Sequence, residues 1–196
     1  AMLTWLHTVD SGVRNVGLCH SVQGTTAKLA RIAGAPPEEA SHWVAGINHQ
    51  AWVLELLHGK ENLYPRLRAA MQDPDVVQQD TVRFEMMKHF GYFVTESTRH
   101  NSEYLPYFRR TPELMERFGL ERRQIPEESQ RVREWMKDTG VEGDEGPIGE
   151  LRRSHEFTTG IMEAMVTNVP YRFNGNVLNT GLITNLPAGC CVEVPC

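Results

Sequence analysis

Apolar residues recur along this chain in short runs that break off at glycine, proline or a cluster of polar side chains. Residues 2–10 read as the end of a helix, and Gly12 marks its exit. Val13 to Leu18 then predicts a short strand that runs into Cys19 and His20, with Ser21 placed to cap the helix that follows. Val22, Leu29, Ile32 and Ala33 recur at roughly helical spacing before Gly34, Pro36 and Pro37 stop that helix. A short helix at Pro37–Ala40 leads into two β-branched and aromatic runs joined at Asn48, His49 and Gln50, which predict two strands meeting at a corner.

Glu61 to Met71 is expected to be helical after a turn at Gly59. Asp80 and Thr81 should cap a helix through Val82, Phe84, Met86, Met87 and Phe90 that Gly91 ends. Tyr92 to Tyr107 is a polar wall carrying Glu96, Arg99, His100, Asn101, Glu103 and Tyr104, a composition that fits a site wall or a solvated loop with surface ion pairs. Residues 109–147 are charge-rich, with helical stretches around Glu113–Phe118 and Glu127–Asp138 and a glycine-rich loop from Gly140 to Pro147. A helix over about 148–167 and strands at Pro170–Val177 and Gly189–Val194 close the chain. The class is α/β, a mixed sheet backed by helices, with an edge at Cys196 that lacks a partner strand.

With 196 residues and a net charge of −5, the chain has material for one good core, and no dense stripe of Lys and Arg to meet a phosphate backbone. Arg109-Arg110, Arg122-Arg123 and Arg152-Arg153 are isolated doublets beside acids, which argues against a nucleic-acid partner. No apolar run is long enough to cross a bilayer and no leader pattern opens the sequence, so the expectation is a cytoplasmic protein with no membrane partner. Cys190 and Cys191 are adjacent and Cys196 is terminal, a poor disulfide framework that fits a reducing compartment. Helix-like residues at the start and a strand-like alternation at Cys191–Cys196 give the impression of a piece cut at both ends, although Ala1 before Met2 also fits an expression scar.

Two stretches carry the chemistry. In each, a short apolar run ends in residues with lone pairs to offer: Cys19 and His20 in the first, Asn48 and His49 in the second. A thiolate and an imidazole from two loop ends can share a divalent metal and leave positions open for substrate oxygens. The competing reading makes Cys19 a buried small hydrophobe and His49 a satisfied polar group.

Taken together, Gly17-Leu18-Cys19-His20-Ser21-Val22-Gln23-Gly24, Gly46-Ile47-Asn48-His49, Gly91 to Ser97, Glu103-Tyr104-Leu105-Pro106 and Gly181 to Val194 resemble glycoside hydrolase family 4, and within it the α-galactosidase branch. The resemblance implies a hydrolase that needs NAD and a divalent ion, usually Mn2+, and works by oxidation at C3 of the sugar, elimination, addition of water and reduction. It implies Cys19 and His49 as metal ligands, Tyr104 as the base, and His20 in the acid's position, where some branches carry aspartate. Asn48, His100 and Asn101 become sugar contacts, each also explicable as a loop-fixing hydrogen bond. No residues are assigned to NAD, because no Gly-x-Gly-x-x-Gly turn occurs.

On that resemblance, residues 1–20 would be the truncated end of a Rossmann-like NAD-binding domain. Residues 21–196 would be the C-terminal, lactate-dehydrogenase-like substrate domain, itself truncated. The expected ligand is a small α-galactoside, and the expected full-length protein is a homo-oligomer, the fragment alone being inactive. Three alternatives stand beside this: an α-glucuronidase or α-galacturonidase of the same family, with Arg99 available to a uronate; a lactate- or malate-dehydrogenase-like oxidoreductase; and a non-catalytic interaction fragment.

Overall fold

The computed structural model describes residues 3, 6, 9, 12–121, 129–134 and 156–196. Most of the expected helix at residues 2–10, half of Glu127–Asp138, the Gly140–Pro147 loop and the first part of the helix over 148–167 lie outside the described residues. The predicted strand at Val13–Leu18 does not form as such. Only Gly17 pairs, exchanging both backbone hydrogen bonds with Asn176 (3.0 and 2.7 Å).

Helix α1 (Ser21–Ile32) buries Val22, Thr25, Thr26, Leu29 and Ala30, and Gly34 leaves it with a positive φ. Ser21 is not its cap. His20 occupies that position without a side-chain bond, and the Ser21 hydroxyl lies 3.3 Å from the Cys19 sulfur instead. After a single 3-10 turn at Pro37–Glu39, strands β1 (Ala40–Ile47) and β2 (Gln50–His58) form the expected hairpin, with Asn48 and His49 as its turn.

Glu61 and Asn62 form strand β3 against the far end of β2, where the sequence predicted a helix; Pro65 delays the helical start to α2 (Tyr64–Ala70). Helices α3 (Pro74–Gln78) and α4 (Thr81–Phe90) follow, and Gly91 closes α4 in the left-handed region as predicted. Asp80 sits at the N-terminal cap of α4 but does not cap it, because its carboxylate is taken by Arg83 and Lys28.

Strand β4 (Phe93–Val94) pairs with β2, and helices α5 (Thr98–Tyr104), α6 (Pro112–Arg117) and α7 (Phe157–Thr167) precede strands β5 (Asn174–Leu178) and β6 (Cys191–Pro195). The sheet order is β3-β2-β1-β6-β5, with β4 pairing with β2 off that path. The α/β class holds, while every pairing between the named strands is antiparallel where mixed directions were expected.

One face of the sheet is covered by helices, with Leu29, Val44, Val53, Leu56, Leu63, Leu67, Phe84 and Phe93 completely buried in a common core. A second cluster of Val82, Met86, Val94, Phe108, Phe118 and Leu120 supports β4 and the wall that follows it. Removing these aliphatic and aromatic surfaces from water is the main stabilising term. It anchors β1, β2 and β4, and so fixes the loops at their ends. No described helix is long and apolar enough to cross a membrane, and all four cysteines are free thiols.

Candidate active site

Three chain segments end at one place: the turn before α1, the β1–β2 corner, and the loop from β4 to α5. They bring together Cys19, His49 and Glu96, whose ligand atoms all lie within 4.8 Å of one another. The pairing of Cys19 with His49 was the central expectation from sequence, and the two side chains do meet.

Glu96 was part of the polar wall, but nothing in Thr95-Glu96-Ser97 marks it out. What aims it is a backbone φ of 66°, and His49 has a φ of 64°. Side chains in the left-handed region are uncommon outside Asn, Asp and His, and each carries a conformational cost that the surrounding packing must hold. Asn101 supplies much of that hold for the Glu96 loop. Its buried side-chain amide donates to the carbonyls of Thr95, Glu96 and Ser97 at 3.1, 3.2 and 3.1 Å. Asn101 is thus placed as a brace and not as the sugar contact expected of it.

The two nitrogens of His49 face different groups. Nε2 is 3.6 Å from a Glu96 carboxylate oxygen, whereas Nδ1 is 3.0 Å from the Tyr104 hydroxyl. Tyr104 also packs with His49 and His100 in a set of three rings with centroids 5.8–5.9 Å apart. His100 reaches Glu103 through Nδ1 at 3.0 Å and stays partly exposed beside the cluster. Asn48 is exposed at the corner next to His49. His20, expected as an acid, is an exposed side chain whose Nδ1 lies 3.0 Å from Glu156 at the start of α7.

A cysteine sulfur, an imidazole nitrogen and a carboxylate within such reach of one another fit a divalent cation, the sulfur and nitrogen suiting Zn2+ and the carboxylate suiting Mn2+. Cys190, Cys191 and Cys196 belong to no such group among the described residues.

Residues 44–196 match the C-terminal domain of family 4 glycosyl hydrolases. The chain belongs to that family. Membership of family 4 sets aside the dehydrogenase alternative. Over 202 residues the chain is 42% identical to an α-galactosidase of Bacillus subtilis (strain 168), a match that covers 100% of the chain and 46% of that relative. It therefore spans about half the length of the curated relative.

The solved structure of Bacillus subtilis lplD superposes with a TM-score of 0.84 at 22% identity, covering 98% of this chain and 49% of that one. A 6-phospho-α-glucosidase from gut microorganisms, solved in complex with NAD and Mn2+, superposes with a TM-score of 0.62 at 20% identity over 92% of this chain and 44% of its own. At those identities both establish the fold of the family 4 domain.

Proposed function

We propose that this chain is the metal- and sugar-binding part of a family 4 α-galactosidase that requires NAD and a divalent cation. The observation that carries the reading is the meeting of Cys19, His49 and Glu96 at the ends of three separate segments. The 42% identity to an α-galactosidase favours that substrate over a uronide. So does Arg99, the cation that a uronate would need, which is engaged with Glu103 at 3.5 Å.

Cys19 through its sulfur and His49 through Nε2 would hold the cation, with Mn2+ the ion implied by the family resemblance. When bound, the cation supplies Lewis-acid stabilisation of negative charge on sugar oxygens. For NAD the described residues offer no glycine-rich turn, so none is assigned to it and no step is derived through it.

The chain's own residues divide the remaining work. The Tyr104 hydroxyl fixes the orientation of the His49 ring from the Nδ1 side, as partners of ligand histidines do. Glu96 faces the same space as the ligand atoms, whereas the Tyr104 hydroxyl is engaged with Nδ1 of His49. We therefore assign proton abstraction from sugar carbon to Glu96 and the support of His49 to Tyr104. Asn101 holds the loop that aims Glu96, and the exposed Asn48 and His100 are left to meet sugar hydroxyls.

The experiment is to assay the full-length enzyme that contains this chain, with NAD and Mn2+, on nitrophenyl α-galactoside and on the matching α-galacturonide and α-glucuronide. Turnover of the galactoside alone, lost in Cys19→Ser, supports the assignment. Turnover of a uronide in its place overturns the substrate class, and undiminished turnover by Cys19→Ser overturns the site. Localisation in the cytoplasm and homo-oligomeric assembly complete the proposal, the second checked by light scattering.

A further inference from the structure

One row of residues runs straight across the sheet under the three site loops. Gly17 bridges Asn176, Asn176 pairs with Glu193, Glu193 with Gly46 and Gly46 with Ala51, and the Thr95 N–H donates to the Ala51 carbonyl at 2.8 Å. Residues opposite one another in antiparallel strands project from the same face, and here it is the helix-covered face that buries Val44 and Val53. In chain terms the row stops two residues short of Cys19 at one end and one short of Glu96 at the other. The corner that carries His49 joins Gly46 to Ala51 in its middle.

Glu193 occupies the centre of this row. It is completely buried, its neighbours on β1 and β2 are Gly46 and Ala51, and neither of its carboxylate oxygens has a hydrogen-bond partner. The side-chain oxygens of Thr95 and Asn176 in the same row are likewise buried without partners. A buried carboxyl with no donor aimed at it is unstable as an anion and holds a proton until positive charge arrives. Burial first, and then the nearby Glu96, push the Glu193 carboxyl up to about 7. Among the described residues, Glu96 is the charged group that acts on it, with His49 and Cys19 as the titratable groups at the neighbouring loop ends.

We propose that Glu193 is a positioning residue of the cation site, a carboxyl in the floor of the sheet that supplies negative charge from below when a divalent cation is held by Cys19 and His49. This rests on the cation-site reading above. On loading, the Glu193 O–H bond breaks, the proton passes to bulk water, and the carboxylate left behind strengthens the hold on the cation. Without the cation, the proton keeps the floor neutral.

The test is titration calorimetry of the protein with Mn2+ alone, slightly below neutral pH and in buffers of different ionisation enthalpy, for the wild type, Glu193→Gln and Cys19→Ser. The expected result is an affinity about 10- to 100-fold weaker in Glu193→Gln, with one proton fewer released than by the wild type. Unchanged affinity and proton count in Glu193→Gln overturn the proposal. Unchanged affinity in Cys19→Ser overturns instead the cation site on which it rests. Should Glu193→Gln not fold, infrared difference spectra of the wild type decide. Loss of a protonated-carboxyl carbonyl band on adding Mn2+ supports the proposal, and its persistence at full loading overturns it.

Discussion

The Tyr104 hydroxyl lies 3.0 Å from Nδ1 of His49, while Nε2 of the same ring is turned toward Glu96. On the proposed roles, the first contact orients the histidine and leaves Glu96 to meet the sugar. Tyr104→Phe should weaken Mn2+ binding by roughly tenfold and lower turnover by a similar factor, because the ring loses its orienting partner. Glu96→Gln should lower kcat by about 100-fold or more while the protein stays folded. Parallel steady-state kinetics of the two variants check this, and a Tyr104→Phe enzyme as inactive as Glu96→Gln would return the base to Tyr104.

Cys19 gives a second prediction. A cysteine kept as a cation ligand is open to oxidation whenever the cation is absent, since no disulfide partner protects it. Peroxide should therefore abolish Mn2+ binding by the metal-free protein, and prior addition of Mn2+ should protect it. Mass spectrometry of the peptide containing Cys19 reads the outcome directly.

Asp80 ties three helices together. Its carboxylate bonds Arg83 in a two-pronged contact and accepts from Lys28 of α1 and from Thr98 at the start of α5. Replacing it by Asn leaves the buried Arg83 short of a counter-charge and should cost about 3–5 kcal/mol in a denaturant titration.

Acid and base limits follow from two carboxyl groups shifted in opposite directions. Asp80 is held below its ordinary value; burial alone would raise it, and Arg83 and Lys28 outweigh burial. Its contribution to stability is present above the ordinary carboxylate range and is lost as pH falls. Glu193 is the reverse. Its folded value of about 7 lies above the usual 4.5, so the folded state holds a proton that the unfolded chain releases, and its contribution fades as pH rises through that interval. The metal-free protein should melt highest in mildly acidic buffer. Glu193→Gln should flatten the decline toward neutral pH, and parallel melting curves for the two proteins would contradict this.

Gly46 offers a steric prediction. Its φ is +156°, and a Cβ there would sit 2.6 Å from both the Ala51 Cα and the Gln50 carbonyl oxygen. Gly46→Ala must displace the hairpin that presents His49. A loss of roughly 1–3 kcal/mol is expected, together with weaker Mn2+ binding, measured by chemical denaturation and calorimetry.

The meeting of Cys19 with His49 was legible mainly through the family resemblance of the two stretches that carry them, since the apolar run before Cys19 does not form the strand it predicts. The β1–β2 corner and the stop of α4 at Gly91 were legible from local pattern, because polar turn residues and glycine break apolar runs whatever surrounds them. Glu96 and Glu193 were not. Glu96 depends on a left-handed backbone turn that Thr95-Glu96-Ser97 does not announce, and Glu193 depends on which strands flank β6, a long-range fact absent from any local window. Local rules also misread Ser21 and Asp80, whose side chains prefer Cys19 on one hand and Arg83 and Lys28 on the other. The expected α-helix from Glu61 failed because Glu61 and Asn62 pair with the end of β2 before Pro65 lets a helix begin.

His49 and Glu96 both sit where the main chain is most at ease with glycine or asparagine. A mutant library screened only for survival after heating, with no sugar present, should therefore drift toward those two residue types at positions 49 and 96. Its winners would be sturdier proteins with nothing left to do.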